Sequence, residues 1–327
     1  MIVNYNSGNH LSHAVLAVAA QSFADFEAIV VDNCSTDASF TQAQSAVRHD
    51  ERFVFVRATS NLGFAAASNF GVESARGEWF GFLNPDAVPA PDWLEQLLTA
   101  TRRHPDVVMF GSTQIDAADA QRLDGAGDHY FATGIPWRGG RGWPVDQLPG
   151  EGEVFAPCAA ACLIRADAFR ETGGFDGRFF CYVEDIDLAF RLRLVGHRCI
   201  QVSTAVVRHV GAASAGQKGS FLAYQYGTRN LIWCFVKCMP AALFWPLLPL
   251  HILTLAVLTV RAIVTGTIRP VWRGIVLGAR GVPSILRSRG VLQHARKVGW
   301  AEIARSLSWN PIACVRRYPR TFPPARM

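Results

Sequence analysis

Asp32 closes the apolar run Ala28-Ile29-Val30-Val31, and Asp86 follows a second run, Trp79–Leu83, in the string Asn84-Pro85-Asp86. An aspartate at the end of a strand can accept hydrogen bonds from a nucleobase imide or a ribose hydroxyl. A second one beside it can hold a hard divalent cation, which in turn binds a diphosphate. Mg²⁺ keeps only one or two protein carboxylates and takes phosphate oxygens for the rest, so Asp86 alone would suffice. Either acid taken singly also suits a tight turn. Two of them at the ends of neighbouring strands of one sheet favour a ligand site, because ligands of open α/β sheets bind beyond the carboxyl ends of the strands.

A third acidic group, Glu184, Asp185 and Asp187, falls within four residues and follows the aromatic string Phe179-Phe180-Cys181-Tyr182. Acids in the first turn of a helix are stabilised by its dipole, which is reason enough for their presence. An aromatic wall beside a carboxylate also suits a sugar-like acceptor and can tune the carboxylate as a general base, which makes Tyr182 and Glu184 candidates for an acceptor site. Asp187 and Arg191, four apart, are expected to pair on the helix surface. In Asn61-Leu62-Gly63, the glycine before a run of small residues lets a helix start close to a ligand or a strand, and that N-terminus favours an anion. His209 ends the next strand pattern and is a possible metal ligand; a lone histidine is more often structural.

Several alternatives are absent as motifs. There is no G-x-G-x-x-G loop, no Walker loop and no G-x-S-x-G elbow, which argues against a nicotinamide oxidoreductase, a loop-dependent NTPase and a serine hydrolase. The eight cysteines include no C-x-x-C pair. Cys158, Cys162, Cys234 and Cys238 lie in apolar neighbourhoods and are expected to be structural thiols in a reducing compartment. No basic n-region or cleavage site opens the sequence, so no signal peptide is expected.

The elements that must position these acids alternate. Strands at residues 2–3, 28–32, 53–56, 79–83 and 107–110 interleave with helices at 11–20, 64–75 and 92–103, the βαβ pattern of a parallel sheet. Residues 113–152 are rich in Gly, Pro, Asp and Trp with weak periodicity and are expected to be a long, partly ordered loop. A short helix at 167–171, a turn at 173–176, a helix stopped by Gly196 and a strand ending at His209 follow. Residues 239–260 contain no Lys, Arg, Asp or Glu, long enough to span a bilayer but interrupted by Pro240, Pro246, Pro249 and His251. Beyond them, residues 261–327 hold thirteen of the 32 Lys and Arg residues and a single acid, Glu302, so that stretch carries +12 and the remainder −6. Its arginines alternate with Leu, Val, Ile and Trp, which suits a lipid interface better than nucleic acid.

Taken in order, these motifs resemble glycosyltransferase family 2, the large inverting family, and within it the rhamnosyltransferase-like bacterial branch. The strings are Val3-Asn4-Tyr5-Asn6, Val31-Asp32-Asn33-x-Ser35-Thr36-Asp37, Asn61-x-Gly63-Phe64-x5-Asn69-x-Gly71, Leu83-Asn84-Pro85-Asp86, Gly173-Gly174-Phe175-Asp176-x2-Phe179-Phe180, Glu184-Asp185-x-Asp187-Leu188 and His209-x-x-Gly211-x-x-Ser214. The resemblance covers roughly residues 1–235 and implies an α/β, A-type nucleotide-diphosphosugar transferase fold with a Rossmann-like mixed sheet. Residues 236–327 form a hydrophobic, then basic helical extension expected to associate with membrane. The resemblance implies that Asn4, Tyr5, Asp32, Asn61 and Asn69 bind the nucleotide, that Asp86 and His209 hold Mg²⁺ or Mn²⁺, and that Asp185 is the catalytic base. The implied donor is dTDP-rhamnose or a UDP-sugar, and the acceptor a hydroxyl of a lipid-linked or polysaccharide glycan of the bacterial cell envelope. Two departures stand out: Asn84 replaces the first acid of the family's Asp-x-Asp, and few apolar residues precede Val3, so the first strand is short or the true start lies upstream.

Two rivals remain at the level of sequence. A sugar-1-phosphate nucleotidyltransferase needs a Gly-rich, Arg-containing loop after the first strand, which Asn6-Ser7-Gly8-Asn9 does not supply. A catalytically degenerate membrane-bound scaffold has no need of Asp32, Asp86, Asp185 and His209 together. Nucleotide-sugars are cytosolic, and a single crossing at 239–260 would push the +12 tail outward, against the positive-inside rule. A peripheral or re-entrant placement on the cytoplasmic face of the plasma membrane is therefore expected.

Overall fold

The protein's structure, a computed structural model, describes residues 1–211 and 221–323; Ser214 of the last motif lies outside them. Strand and helix alternate from the start as β1 (Ile2–Asn4), α1 (His10–Ala19), β2 (Ala28–Asp32), α2 (Ser39–Ala46), β3 (Phe53–Arg57), α3 (Gly63–Val72), β4 (Trp79–Leu83), β5 (Ala87–Pro89), α4 (Trp93–Arg103) and β6 (Met109–Asp116). There follow β7 (Leu123–Gly125), β8 (Asp128–Tyr130), β9 (Pro136–Arg138), β10 (Gly152–Glu153), β11 (Ala161–Arg165), α5 (Ala166–Glu171), α6 (Glu184–Leu194) and β12 (Cys199–His209). The remainder is helical: α7 (Phe221–Cys238), α8 (Ala241–Val264), α9 (Ile268–His294), α10 (Trp300–Ser306) and α11 (Pro311–Arg316).

The main sheet runs β10-β12-β6-β11-β4-β1-β2-β3, with β5 and β7 pairing onto β12 and β6. β4, β1, β2 and β3 are parallel, whereas β11 enters antiparallel between β4 and β6. The sheet is therefore mixed, as the fold expected from the resemblance requires. β2 is buried at all five positions, which explains its unbroken apolar run: helices cover both faces. Leu11 and Val15 of α1, Ala43 of α2 and Trp93 and Leu97 of α4 pack on one face with Val30 and Phe110. Ala65 of α3, Phe169 of α5 and Leu188 and Phe190 of α6 pack on the other with Phe80 and Phe82.

Three expectations change. Residues 113–152 are not a loose loop: β7 pairs with β6, β8 and β9 form a hairpin, and Asp124, Asp128 and Tyr130 are buried. The strands are three residues long, too short to show a period, and tertiary pairing orders them. The Asp187–Arg191 pair forms, but inside the protein, since all of α6 is buried and Lys237 of α7 reaches Asp187 at 2.9 Å. Residues 241–260 lie in one continuous helix, α8, despite Pro246 and Pro249, with Pro240 capping its start. Two smaller differences concern α2, for which no expectation was drawn, and α3, which ends at Val72 rather than at 75.

The C-terminal helices are not detached. α7 runs through position 235, Trp233 donates to the Gly278 carbonyl of α9 at 2.9 Å, and residues of α6, α7 and α8 share one core. Ser308 then closes back on the β8–β9 hairpin, its N–H donating to Tyr130 at 2.9 Å and its carbonyl accepting from Ala132 at 2.9 Å. α8 is long and apolar enough to cross a membrane, with 17% of its most apolar window buried; its outward face carries Trp245, Leu253, Val257 and Val260.

Candidate active site

Parallel register brings the ends of β1 and β2 level, Asn4 opposite Asp32 and Asp32 opposite Arg57 of β3. The Asn4 amide, fully buried, donates to Asp32 at 3.1 Å and to Ser35 and Ser39, so it braces the loop after β2. Asp32 keeps a looser contact with Arg57 at 3.6 Å. Asn33 and Asn61 interlock: the Asn33 amide donates to Asn61 Oδ1 at 2.9 Å while its own Oδ1 accepts from the Leu62 N–H at 2.8 Å. Tyr5 lies half-buried on the same loop. Asn69 behaves differently. Both ends of its amide are taken by the Phe175 backbone, at 2.7 and 3.0 Å, so in this fold it ties α3 to the 173–176 turn.

Asp86 and His209 meet because β5 pairs antiparallel with the end of β12, Ala87 opposite His209, and the Val210 N–H donates to the Asp86 carbonyl at 3.0 Å. His209 Nε2 stands 3.4 Å from Asp86 Oδ1 and 3.4 Å from the Asn84 amide, with the Asp86 and His209 side chains each 4% exposed. Its Nδ1 is held at 2.7 Å by Asp124 Oδ2, which fixes the ring so that Nε2 faces Asp86. A carboxylate and an oriented imidazole converging in a buried niche fit a divalent cation. Asp124 is in turn bound by Arg138 at 2.6 Å and approached by Arg141 at 3.5 Å. Burial works against its charge, but His209 and the two arginines hold its carboxyl well below the usual range.

Asp185 sits in the first turn of α6. Its Oδ2 accepts from the Ala159 N–H at 3.0 Å and its Oδ1 from Ile186 at 2.8 Å. Carboxylate oxygens of Asp185 and Asp128 and the Cys158 sulfur lie within 4.8 Å of one another, and Arg138 donates to Cys158 at 2.9 Å. Burial pushes Asp128 up to about 8 and the Cys158 thiol up to about 12, so both stay protonated at neutral pH. A neutral thiol beside a guanidinium is a poor cation site. Arg138 thus links Asp185 to the Asp86–His209 pair, through Cys158 on one side and Asp124 on the other. Glu184 is buried, with Oε2 unpartnered among the described residues; burial, and then the field of Asp185, raises its pKa well above normal.

The segment entering α6 is strained. Phe180, Tyr182 and Val183 have φ of 65°, 70° and 68°. For β-branched Val183 this left-handed conformation is an outlier of a kind that persists only where surroundings impose it. The imposing groups are visible. The fully buried Asn230 amide on α7 donates to the carbonyls of Phe179, Cys181 and Tyr182 at 2.9, 2.9 and 2.7 Å. The Phe180 carbonyl accepts from Ala65 at 3.1 Å, and a Cβ on Gly63 would stand 2.5 Å from it, so Gly63 admits this approach. Val183→Gly is expected to stabilise the fold by about 1 kcal/mol, the relieved strain outweighing glycine's entropy, and to lower turnover by loosening Asp185. Thermal denaturation and kcat on one preparation check this; unchanged stability removes strain from the account.

Residues 1–173 match the family described as Glycosyl transferase family 2. The chain belongs to this family. Among curated relatives, this glycosyltransferase is similar to the N-acetylglucosaminyl-diphospho-decaprenol L-rhamnosyltransferase of Mycobacterium tuberculosis, 28% identical over 239 residues, 66% of this chain and 76% of that protein. It is also similar to the putative teichuronic acid biosynthesis glycosyltransferase TuaG of Bacillus subtilis, 32% identical over 121 residues, 37% of this chain and 48% of that protein. In fold it is similar to mannosyltransferase PcManGT of Pyrobaculum calidifontis in complex with GDP-Man and Mn²⁺, with a TM-score of 0.54, 17% identity and coverage of 90% and 84%. GalNAc-T7 with UDP, GalNAc and Mn²⁺ gives a TM-score of 0.60 at 15% identity, over 73% of this chain and 47% of that one.

The sequence reading of this glycosyltransferase missed Asp124, Asp128 and Arg138, all in the segment taken for a loop. Its one signal was polar residues flanking the short apolar string Tyr130-Phe131-Ala132. A cavity of about 820 Å³ opens at the opposite end of the sheet beside Phe26, Trp79 and Leu98 and includes none of the site residues. Asp124→Asn keeps an acceptor for His209 but removes the charge, and is expected to weaken Mn²⁺ binding by about 10–100-fold. Calorimetric titration with Mn²⁺ checks this; parent-like affinity would leave Asp124 a purely structural partner of Arg138.

Proposed function

We propose that this glycosyltransferase moves a sugar, with inversion, from a nucleotide diphosphate to a hydroxyl of a lipid-linked or polysaccharide acceptor in cell-envelope glycan synthesis. The observation that carries the reading is the continuous chain Asp86–His209–Asp124–Arg138–Cys158 ending beside Asp185, which joins a cation niche to a carboxylate in the first turn of α6. The kinship with the rhamnosyltransferase supports dTDP-rhamnose as the first donor to try, with UDP-sugars as the alternative.

In this reading Asp32, Asn61 and Tyr5 hold the nucleoside at the strand ends, with Asn4 bracing Asp32 from below. Asp86 and His209 hold Mg²⁺ or Mn²⁺, which when bound offsets the charge that develops on the leaving diphosphate. Asp185 accepts the proton of the acceptor hydroxyl as its oxygen attacks the anomeric carbon from the face opposite the nucleotide. Tyr182 and Glu184, on either side of Val183, face the acceptor, with burial disfavouring the charged form of Glu184. A screen of nucleotide release from dTDP-rhamnose, UDP-sugars and GDP-sugars tests the reading. Metal-dependent release from one donor class is expected, and the absence of release from all of them would favour a non-catalytic scaffold.

The outward face of α8 and the arginines after it support peripheral attachment to an anionic membrane, each basic side chain near the surface contributing about 1 kcal/mol. Val257→Asp with Val260→Asp is expected to weaken flotation with anionic vesicles at least about tenfold. Unchanged flotation would place the contact elsewhere.

A further inference from the structure

α7 and α9 lie beyond residues 1–173, the stretch that matches the family, yet they hold the turn that delivers Asp185. Two adjacent side chains of α7 take four carbonyls of that turn. Arg229 Nη2 donates to the carbonyls of Arg178 and Phe179 at 3.0 and 2.6 Å. Asn230 Nδ2 donates to those of Phe179, Cys181 and Tyr182. The pair is locked together, because Arg229 Nε donates to Asn230 Oδ1 at 2.8 Å and leaves the amide nitrogen facing the turn. Two helical turns further on, Lys237 Nζ donates to Asp176 at 2.7 Å and to Asp187 at 2.9 Å. α7 thus grips the chain before the turn, within it and in α6 after it.

The grip is anchored on α9. The guanidinium carbon of Arg229 lies 4.3 Å from the centre of the Trp233 ring and 4.5 Å from that of Tyr226, and Trp233 Nε1 donates to the Gly278 carbonyl. A Cβ on Gly281 would overlap the Trp233 ring, so glycine there admits the contact. Arg178, at the start of the turn, donates to the Ser284 and Ser288 hydroxyls of α9 at 3.0 and 2.9 Å.

The carbonyls reach α7 with Phe180, Tyr182 and Val183 at left-handed angles, none of them a glycine that adopts such angles freely. Removing the α7 donors takes away the bonds that offset this strain, and the turn then relaxes. Val183 is the cap residue of α6 and Asp185 lies two residues on, so relaxation there shifts the carboxylate. Pairing carbonyls is a structural service in itself, and alone it would alter stability while leaving the chemistry of each folded molecule intact. We propose that Asn230 and Arg229 are positioning residues of the transferase, holding Asp185 where it meets the acceptor hydroxyl, and that α7 and α9 therefore belong to its catalytic apparatus. This rests on the transferase reading with Asp185 as its base.

The test is a double-mutant cycle on the full chain: the parent, Asn230→Ala, Asp185→Asn and the double variant. Nucleotide release in Mn²⁺ gives kcat and KM with dTDP-rhamnose, or with the UDP-sugar or GDP-sugar that the parent turns over. Calorimetry with the matching nucleoside diphosphate gives affinity on the same samples. Asn230→Ala is expected to lower kcat about 10²-fold, the scale of a misplacement by an ångström, with KM and nucleotide affinity within about twofold of the parent. In the Asp185→Asn background there is no base to place, and the same change is expected to cost less than about threefold. Three results would each overturn the positioning role: equal losses in both backgrounds; a parent-like kcat in Asn230→Ala; or a kcat loss matched in nucleotide affinity, which makes Asn230 a support of the fold. Where Asn230→Ala does not fold, Arg229→Gln enters the same cycle, with a loss of about tenfold expected in the parent background and the same three results against it. If the parent releases nucleotide from no sugar donor, the transferase reading fails. If the parent turns over and Asp185→Asn matches it, the base is misassigned and the positioning role falls with it. If Asp185→Asn loses turnover but the cycle shows no coupling, only the positioning role fails.

Discussion

Asp185→Asn is expected to lower kcat by about 10²–10⁴ with donor affinity nearly unchanged. Asparagine preserves the volume and first-turn position but cannot take a proton. The nucleotide contacts proposed for Asp32 and Asn61 belong to other elements, the end of β2 and the loop before α3, so binding and chemistry are expected to separate. The geometry adds one requirement. Both Asp185 oxygens accept backbone N–H bonds, from Ala159 and Ile186, and an amide satisfies only one of them. Some stability loss, about 1 kcal/mol, is therefore expected, and circular dichroism and donor binding must accompany the kinetics. Glu184→Gln is the control. Burial disfavours the charged form of Glu184, so glutamine is close to isosteric with the form favoured there, and a milder loss is expected. An Asp185→Asn enzyme that folds, binds donor and turns over within a few-fold of the parent would remove Asp185 from the mechanism.

Asp86→Ala should cost at least about 10³-fold in turnover, because cation-mediated charge stabilisation is worth several kcal/mol and each 1.4 kcal/mol is a factor of ten. It should weaken nucleotide-diphosphate binding as well, since the charge that screens the phosphates is lost. The substituted family position, Asn84, leaves Asp86 and His209 to carry the niche, so no second acid compensates. EDTA should abolish parent activity and added Mn²⁺ or Mg²⁺ restore it. Full activity of the parent in EDTA would contradict the assignment of Asp86.

The acids at the strand ends were legible because burial of β2 and β4 on both faces leaves an unbroken apolar run whose end is marked in the sequence, and parallel pairing sends those ends to one edge. His209 was legible only as a strand end; its role depends on the antiparallel pairing of β5, which three residues cannot announce. Asp124, Asp128 and Arg138 were illegible because β7, β8 and β9 acquire order from β6, from one another and from Ser308, some 170 residues later in the chain. The same distance problem applies to Asn69, for which the resemblance implied a nucleotide contact and whose amide is bonded at both ends to the Phe175 backbone. The spacing of Asp187 and Arg191 predicted their pairing correctly. Its location was wrong because α7 lies over α6, and a local helical pattern carries no information about what covers it.

The measurement that bears most directly on the account is the anomeric configuration of the transferred sugar. With the active donor identified, product formed in Mn²⁺ is isolated and its one-bond C1–H1 coupling compared with that of the donor. Attack by a hydroxyl activated at Asp185, from the face opposite the diphosphate, predicts the opposite anomer and none of the donor's. A product that keeps the donor's configuration would contradict single displacement and with it the role given to Asp185.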